Sequence, residues 1–302
     1  MSGAARSPRG HPVAPKVVLQ PRPLWLGEKP CDFGVADSSG VSVTSTARGD
    51  QALLRATVHE AASLDDACLV AATRHAHLRL GRMLDEQHLH AWRFWNYVPG
   101  ILAPARLAEN RYQVFNSARF DALRCWYGER LDDRLVAATA VGHDDADLVI
   151  DLLAGPSLAR AVENSRQISP LHYSARWGPR PPCFARGVLV AVTEPGFERR
   201  RLALVSGTAS IVGEDSQHLG VPSGQIQETL TNLAVLLEQI ERAARARATF
   251  TSLRAYLAPG MAAADVARQA SKAFSAAIET VPAHLCRPGL LVEIEGVAGI
   301  DG

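Results

Sequence analysis

The chain has 302 residues, with 32 Lys and Arg against 31 Asp and Glu and a formal net charge of +1. This balance argues against a nucleic-acid-binding protein, because phosphate backbones are bound by a basic excess or a basic stripe. Hydrophobic residues make up 47% of the sequence, which is typical of a globular core and too high for a disordered chain.

Strand signals recur along the whole chain. Residues 1–15 (MSGAARSPRGHPVAP) are polar and rich in Pro and Gly without an apolar stretch, so we expect a disordered leader that is no signal peptide. Short β-branched or alternating runs follow, each bounded by Gly, Pro, Asp or Ser, as strands usually are. They predict strands at residues 17–19, 41–46, 53–58, 135–141, 148–153, 188–193, 202–206 and 290–295.

Helical periodicity predicts four helices, at residues 64–89, 116–127, 224–247 and 261–278. Asp65 and Asp66 lie in the first turn of the first helix, where negative charge suits the helix dipole. Asn116 and Ser117 are the expected caps of the second helix. The third helix is the clearest, because its apolar residues recur at alternating spacings of four and three along one stripe: Ile226, Leu230, Leu233, Leu237 and Ile240.

The order of these elements predicts an α+β chain with two α/β domains. No repeat of 20–50 residues is visible. After residue 182 the order strand, strand, long helix, helix, strand predicts a unit that contains a βαβ motif, and the earlier half has similar content. We place the first domain at residues 16–165 and the second at 166–302.

Cysteines, apolar runs and motifs exclude several further classes. The five cysteines are scattered and never form a CxxC pair, which argues against a disulfide framework or a structural zinc site. No apolar run approaches the roughly 20 residues of a membrane helix. The motifs GxGxxG, GxxxxGK[ST], HExxH and GxSxG are absent. We therefore predict a cytoplasmic protein without a membrane span, a metal or an organic cofactor.

Three segments rich in aromatic residues and Arg do not follow any helix or strand period, and we interpret them as loops. They cover residues 92–100, 110–120 and 167–187 and hold ten of the 18 aromatic residues. Arg binds carboxylate through two parallel hydrogen bonds, and Tyr adds a neutral donor. Such loops suit a pocket for a small planar anion, or else they rim a domain interface.

The last predicted strand carries two acidic residues on one face. Side chains alternate along a strand, so Glu293 and Glu295 share one face while Val292 and Ile294 share the other. These carboxylates either form a solvated edge, or one of them lies in a dry pocket, where burial raises its pKa and makes it a general acid. The small residues 206–210 are similarly ambiguous between a close approach to a ligand and a hairpin corner.

Several segments together resemble the chorismatases, which convert chorismate into hydroxylated benzoates or dihydrobenzoates. They are HAWRFWNYVPGI, RYQVFNSARFDAL, AVGHDDADLVIDLLAG, QISPLHYSARWGPRPPCFARG, LVSGTASIVG and LLVEIEGVAG, and they run in family order from about residue 90 to 299. The resemblance implies two α/β domains. It also implies that the C-terminal domain is YjgF-like, with chorismate-mutase-like βαβ packing.

The resemblance also implies roles for the residues in these motifs. Chorismate carries two carboxylates, and the matched positions suggest that Tyr112 and Arg119 bind it from one segment and Tyr173 and Arg186 from another. Glu293 is the expected donor of the proton that cleaves the enolpyruvyl ether with release of pyruvate.

Two further positions are expected to steer the product. Cys286 favours 3-hydroxybenzoate, by the route in which the ring hydroxyl takes part, whereas access of water favours hydrolysis to 3,4-dihydroxycyclohexa-1,5-diene carboxylate. Ala209 leaves a mixture of 3- and 4-hydroxybenzoate open. A free Cys is also often a small buried hydrophobe, which is the alternative for Cys286.

A second class of function stays open at this point. YjgF-like domains also occur as non-catalytic proteins that bind small carboxylates and as imine-hydrolysing deaminases. We expect chorismate as the small-molecule partner, no nucleic acid or membrane partner, and a monomer or weak homo-oligomer.

Overall fold

The computed structural model describes residues 16–18, 35–36, 40–193 and 200–302, so the predicted leader at residues 1–15 lies outside it. The first half contains strands β1 to β6 and two helices: β1 Val35–Ala36, β2 Val41–Arg48, β3 Gln51–Val58, α1 Asp66–Glu86, β4 His90–Pro99, α2 Arg111–Tyr127, β5 Ala137–His143 and β6 Leu148–Gly155. The second half contains β7 Arg160–Val162, β8 Gly187–Val192, β9 Arg200–Ala209, β10 Ile211–Val212, β11 Asp215–Ser216, α3 Pro222–Ala244, β12 Ala248–Leu257, α4 Ala263–Phe274, β13 Ala277–Pro282 and β14 Val292–Ile300.

The first sheet has six strands in the order β1-β2-β3-β6-β4-β5, and only β4 and β5 run parallel. Helices α1 and α2 pack against each other and cover one face of this sheet. His77 on α1 contacts the ring of Phe94 on β4, and Arg119 on α2 lies over the same ring. Strand β5 forms the edge of the sheet.

The second sheet has the order β13-β12-β14-β9-β8-β7. Strands β12 and β13 are parallel and are joined by α4 in a βαβ unit, although neither of these two strands is predicted from the sequence. Helices α3 and α4 cover one face of the sheet, where Ile226 and Leu233 of α3 and Val266 of α4 belong to the same buried cluster as Val292 and Ile294 of β14.

The two faces that carry no helices face each other. Glu295 on β14 accepts hydrogen bonds from Arg93 and Trp95 on β4, at 2.7 and 2.8 Å. The hydroxyl of Ser206 on β9 accepts a bond from the backbone N–H of Ala138 on β5. Since Val292 and Ile294 point toward the helices, the predicted division of β14 into an acidic and an apolar face is confirmed. The order of helices and strands also confirms the predicted α+β class with two α/β units.

Two of the three segments interpreted as loops are regular elements. Residues 92–100 lie almost entirely in β4, which is buried on both faces and therefore lacks the polar alternation of a half-exposed strand. Residues 110–120 lie at the start of α2, which is capped by the Asn110 side chain accepting from the N–H of Gln113. The predicted caps Asn116 and Ser117 are wrong, because both lie one to two turns inside the helix.

Other differences lie at strands. Strands β12 and β13 are not predicted from the sequence. The helix predicted at 261–278 extends over the first two residues of β13, and the apolar side chains of both strands do not alternate regularly. Val17 and Val18 are not in a strand, and the third residue of that predicted strand lies outside the described residues. Strand β7 pairs with β8 in the second sheet, so the chain changes sheets between Gly155 and Arg160. The domain division at 165/166 stays a prediction.

Candidate active site

A cavity that opens to solvent, about 530 Å³ including the open space at its mouth, lies where α2 and the edge strand β5 of the first half meet the uncovered face of the second sheet. All seven residues singled out in the sequence line it, although they come from α2, the irregular stretch before β8, β9, the loop before β14 and β14 itself. These seven are Tyr112, Arg119, Tyr173, Arg186, Ala209, Cys286 and Glu293. The fold therefore brings together residues that are up to 181 positions apart in the sequence.

Glu293 carries the most perturbed carboxyl group of the cavity. Its side chain is only 5% exposed. Burial, and second the negative charge of Glu295, raise the pKa of Glu293 to about 8, against the opposing effects of Arg186, Arg287 and Arg93. A carboxyl group that stays neutral at pH 7 in a cavity can donate a proton.

Helix α2 carries Tyr112 and Arg119 into the cavity. They lie seven residues apart, so two turns of the helix place them on one side. Arg119 is 2% exposed, and its Nε and Nη2 have no hydrogen-bond partner among the described residues. Burial lowers the pKa of Arg119. A buried guanidinium with free donors is an unusual and costly arrangement unless an anion completes it.

Arg186 and Tyr173 form a second pair in the cavity wall. The Nη2 of Arg186 donates to the Tyr173 hydroxyl at 2.6 Å and to the carbonyl of Ile168 at 3.1 Å. Because the Tyr173 oxygen accepts this bond, its own proton is available to a ligand. The guanidinium carbon lies 5.8 Å from the centre of the Tyr173 ring and 5.3 Å from that of Phe184, and its Nε is buried without a partner among the described residues.

Ala209 and Cys286 lie beside Glu293. Ala209 on β9 is paired with Glu293 on β14, so the methyl group and the carboxyl share one face. The Sγ of Cys286 is 4.0 Å from Oε2 of Glu293. Burial, followed by the charge of Glu293, raises the pKa of Cys286 to about 12, which keeps it a neutral thiol at physiological pH.

Three further lining residues bear on the site, although none of them is assigned a role from the sequence. Arg287 is 7% exposed, donates to the Glu214 carbonyl at 2.7 Å and lies 3.6 Å from the centre of the Trp177 ring. Its position next to Cys286 was the one available signal. Thr139 and Gly207 also line the cavity. Gly207 had a weak signal in the run of small residues 206–210, whereas nothing in the sequence distinguishes Thr139.

Neither a metal centre nor a membrane helix is found in the described part of the chain. No group of three or more His, Cys, Asp or Glu side chains in residues 40–193 and 200–302 is placed to hold a metal ion. None of the helices described is long and apolar enough to cross a bilayer.

Comparison with known proteins identifies the family. A model described as chorismatase FkbO/Hyg5-like, N-terminal, matches residues 24–154. The 3-hydroxybenzoate synthase of Streptomyces hygroscopicus is 32% identical over 239 residues, which cover 75% of this chain and 68% of that protein. A chorismatase of Streptomyces rapamycinicus is 31% identical over 215 residues, or 68% of this chain and 63% of that protein.

A solved structure gives the same result. A crystal structure of a chorismatase at 1.08 Å resolution superposes with a TM-score of 0.71 at 26% identity, over 87% of this chain and 78% of that one. The chain spans about two thirds of the length of the two Streptomyces relatives. From these matches along most of its length, the chain belongs to the chorismatase family.

Proposed function

We propose that this protein converts chorismate into 3-hydroxybenzoate and pyruvate. The observation that supports this function most is one cavity that combines a neutral carboxylic acid, Glu293, with two buried arginines, Arg119 and Arg186. A substrate with two carboxylates and an acid-labile enol ether uses all three groups. The name of the relative from Streptomyces hygroscopicus, 3-hydroxybenzoate synthase, agrees with this product.

Binding rests on the two Arg–Tyr pairs. Arg119 and Tyr112 would hold one carboxylate of chorismate, and Arg186 and Tyr173 the other, through charge-assisted hydrogen bonds. The free donors of Arg119 and of Arg186 Nε are then satisfied by the ligand. Arg287 adds a third cation in the cavity wall.

Chemistry begins with the proton of Glu293, which moves to the methylene carbon of the enolpyruvyl group. The resulting oxocarbenium ion is stabilised by the new Glu293 carboxylate. The ring hydroxyl captures this cation, loses its proton and forms a cyclic ketal. The bond between the ring and this former hydroxyl oxygen then breaks, a ring proton is lost, and pyruvate leaves with that oxygen as its carbonyl, so the original ether oxygen stays on the aromatic ring and takes up a proton as the phenol. The atoms of 3-hydroxybenzoate and pyruvate together equal those of chorismate, so the conversion consumes no other reactant, whereas hydrolysis to the dihydroxydiene consumes one water.

The product depends on which oxygen reaches the cation. A neutral Cys286 thiol beside Glu293 fills space that a water molecule would need, which favours the intramolecular route. Ala209 opposes Glu293 on the neighbouring strand, and its methyl group limits how the ring lies in the cavity. Hydrolysis, or a mixture of 3- and 4-hydroxybenzoate, is the alternative outcome.

The experiment is to incubate the purified protein with chorismate, measure pyruvate by a coupled assay and identify the aromatic product by chromatography. We expect pyruvate and 3-hydroxybenzoate in equal amounts. The rate should fall as the pH rises through about 8, because the deprotonated Glu293 cannot donate. Glu293→Gln should lower kcat at least a hundredfold, while the exposed Glu238→Gln on α3 serves as the matched control.

Two results would contradict the proposal. Absence of pyruvate at high enzyme concentration, together with binding of 3-hydroxybenzoate, would identify a small-carboxylate-binding protein without this activity. Retention of turnover in Glu293→Gln, with weaker binding alone, would remove Glu293 from the role of proton donor.

A further inference from the structure

Glu295 forms a network that crosses from the second sheet to the first. Its Oε2 accepts bonds from Arg93 Nη2 at 2.7 Å and from the Thr139 hydroxyl at 2.6 Å, and its Oε1 accepts from the Trp95 ring nitrogen at 2.8 Å. All three partners donate, so the arrangement fits an ionised carboxylate. Glu295 is 1% exposed and lies two residues from Glu293 on the same strand face.

The same network also holds the stretch of β9 backbone against which the Glu293 carboxyl group packs. Ser206 and Gly207 together oppose Glu295 across the β9–β14 ladder, which is a β-bulge. The N–H of Gly207 donates to the Thr139 hydroxyl at 3.1 Å. A Cβ at Gly207 would lie 1.9 Å from Oε1 of Glu293, so this carboxyl group lies directly against the backbone of the bulge.

We propose that Glu295 is a positioning residue for Glu293 and acts by two routes, a proposal that rests on the proposed role of Glu293 as the proton donor. Burial is the main reason that Glu293 stays in the neutral form that can donate, and the negative charge of Glu295, held by Arg93 and Trp95, adds to this effect. The hydrogen bond of Glu295 with Thr139 fixes the bulge at Gly207, and this sets the direction of the Glu293 carboxyl group.

The other charged groups around Glu293 do not keep it in its neutral form. Arg186 before β8, Arg287 before β14 and Arg93 on β4 all favour the ionised form of Glu293. The thiol of Cys286, the phenol of Tyr112 and the phenol of Tyr256, which is the cross-strand partner of Glu293 on β12, have pKa values that burial raises, so all three are neutral at pH 7. Glu295 is therefore the group whose charge opposes the ionisation of Glu293.

The test compares pH–rate profiles of pyruvate release for the wild type, Glu295→Gln, Thr139→Val and Thr139→Ser. In Glu295→Gln, the alkaline limb of kcat should move to lower pH by about one unit, because a like charge is lost. Thr139→Val keeps the charge of Glu295 but breaks the link to Gly207, so its limb should stay in place while kcat falls about tenfold. Thr139→Ser keeps the hydroxyl and should restore kcat toward the wild-type value.

The outcomes separate this inference from the proposed function. If Glu293→Gln is inactive but the limb of a folded Glu295→Gln does not move, the inference fails and the proposed function stands. Equal kcat values in Thr139→Val and Thr139→Ser would also overturn it. If Glu295→Gln does not fold, which circular dichroism would show, the two Thr139 variants decide the matter.

Discussion

At the scale of single residues, the cavity is defined by charged groups that the protein itself leaves incompletely paired. Arg119 lies on a buried helix face with two nitrogen atoms that find no acceptor among the described residues. A buried guanidinium in this state costs folding free energy, and a carboxylate ligand would recover it. A site of this kind trades stability of the free protein for affinity.

We therefore expect one substitution to stabilise the free protein and at the same time to weaken substrate binding. Arg119→Met replaces the guanidinium by an apolar chain of similar length, so the melting temperature of the ligand-free protein should rise. KM for chorismate should increase roughly 10- to 100-fold, because the substrate loses hydrogen bonds to a charged group. Calorimetry and the pyruvate assay measure the two quantities. Arg124→Met, on the exposed side of the same helix, is the control that should change neither by much.

A different pair of results would speak against this interpretation. If Arg119→Met destabilises the free protein and leaves KM unchanged, Arg119 supports the fold through its contact with Phe94 and does not bind substrate.

At the scale of elements, the irregular part of β9 determines where the acid lies. A regular β9 would put one residue opposite Glu295, whereas the bulge puts Ser206 and Gly207 there. Strand β5 of the first sheet holds both bulge residues, through Ala138 N–H to the Ser206 hydroxyl and through the Thr139 hydroxyl to Gly207. The bulge is thus fixed by both sheets.

Glycine at position 207 is required by this close approach. In Gly207→Ala the new methyl group would overlap the Glu293 carboxyl, so the carboxyl must move, and we expect kcat to fall by about 100-fold with a smaller change in KM. Gly299→Ala on β14 is the matched control, because its Cβ would meet only Thr251 at an ordinary 3.6 Å. Steady-state pyruvate release from both variants tests this, and equal kcat values would contradict it.

Much of the fold could be predicted because its elements follow a local period. Helix α3 has an apolar stripe, and β2, β3 and β6 have β-branched or alternating residues. The exceptions are elements whose environment is set by distant parts of the chain. Strand β4 is buried on both faces, so its sequence lacks alternation. Helix α2 begins after its cap Asn110, whose capping bond no periodic pattern signals.

The site was predictable to a similar extent. Glu293 and the Arg–Tyr pairs were found through their motifs, and the structure brings them into one cavity. Thr139 and Arg93 could not be found in this way, because their importance comes from Glu295, which is 156 and 202 residues distant. Contacts between sheets at such separations leave no local pattern in the sequence.

At the scale of the whole molecule, the cavity exists because the uncovered face of the second sheet packs against α2 and the edge strand β5 of the first half. Burial between them raises the pKa of Glu293 to about 8 from an ordinary value of 4.5. The folded state therefore holds a proton that the unfolded state releases between these two values. The stability that this group contributes is fully present below pH 4.5 and is lost as the pH rises through about 8.

Glu293→Gln removes this titration, so the unfolding free energies of the variant and the wild type should differ more and more as the pH rises. The difference in unfolding free energy in favour of the Gln variant should grow between pH 5 and 8 by up to about 1.4 kcal/mol per pH unit and level off above pH 8 or so. Thermal unfolding of both proteins across pH 5 to 9 measures it, with Glu238→Gln, which alters a carboxylate on the exposed surface of α3, as the control. A constant difference across this range would mean that Glu293 is ionised in the folded protein at neutral pH, and the same carboxyl group could not then serve as the proton donor.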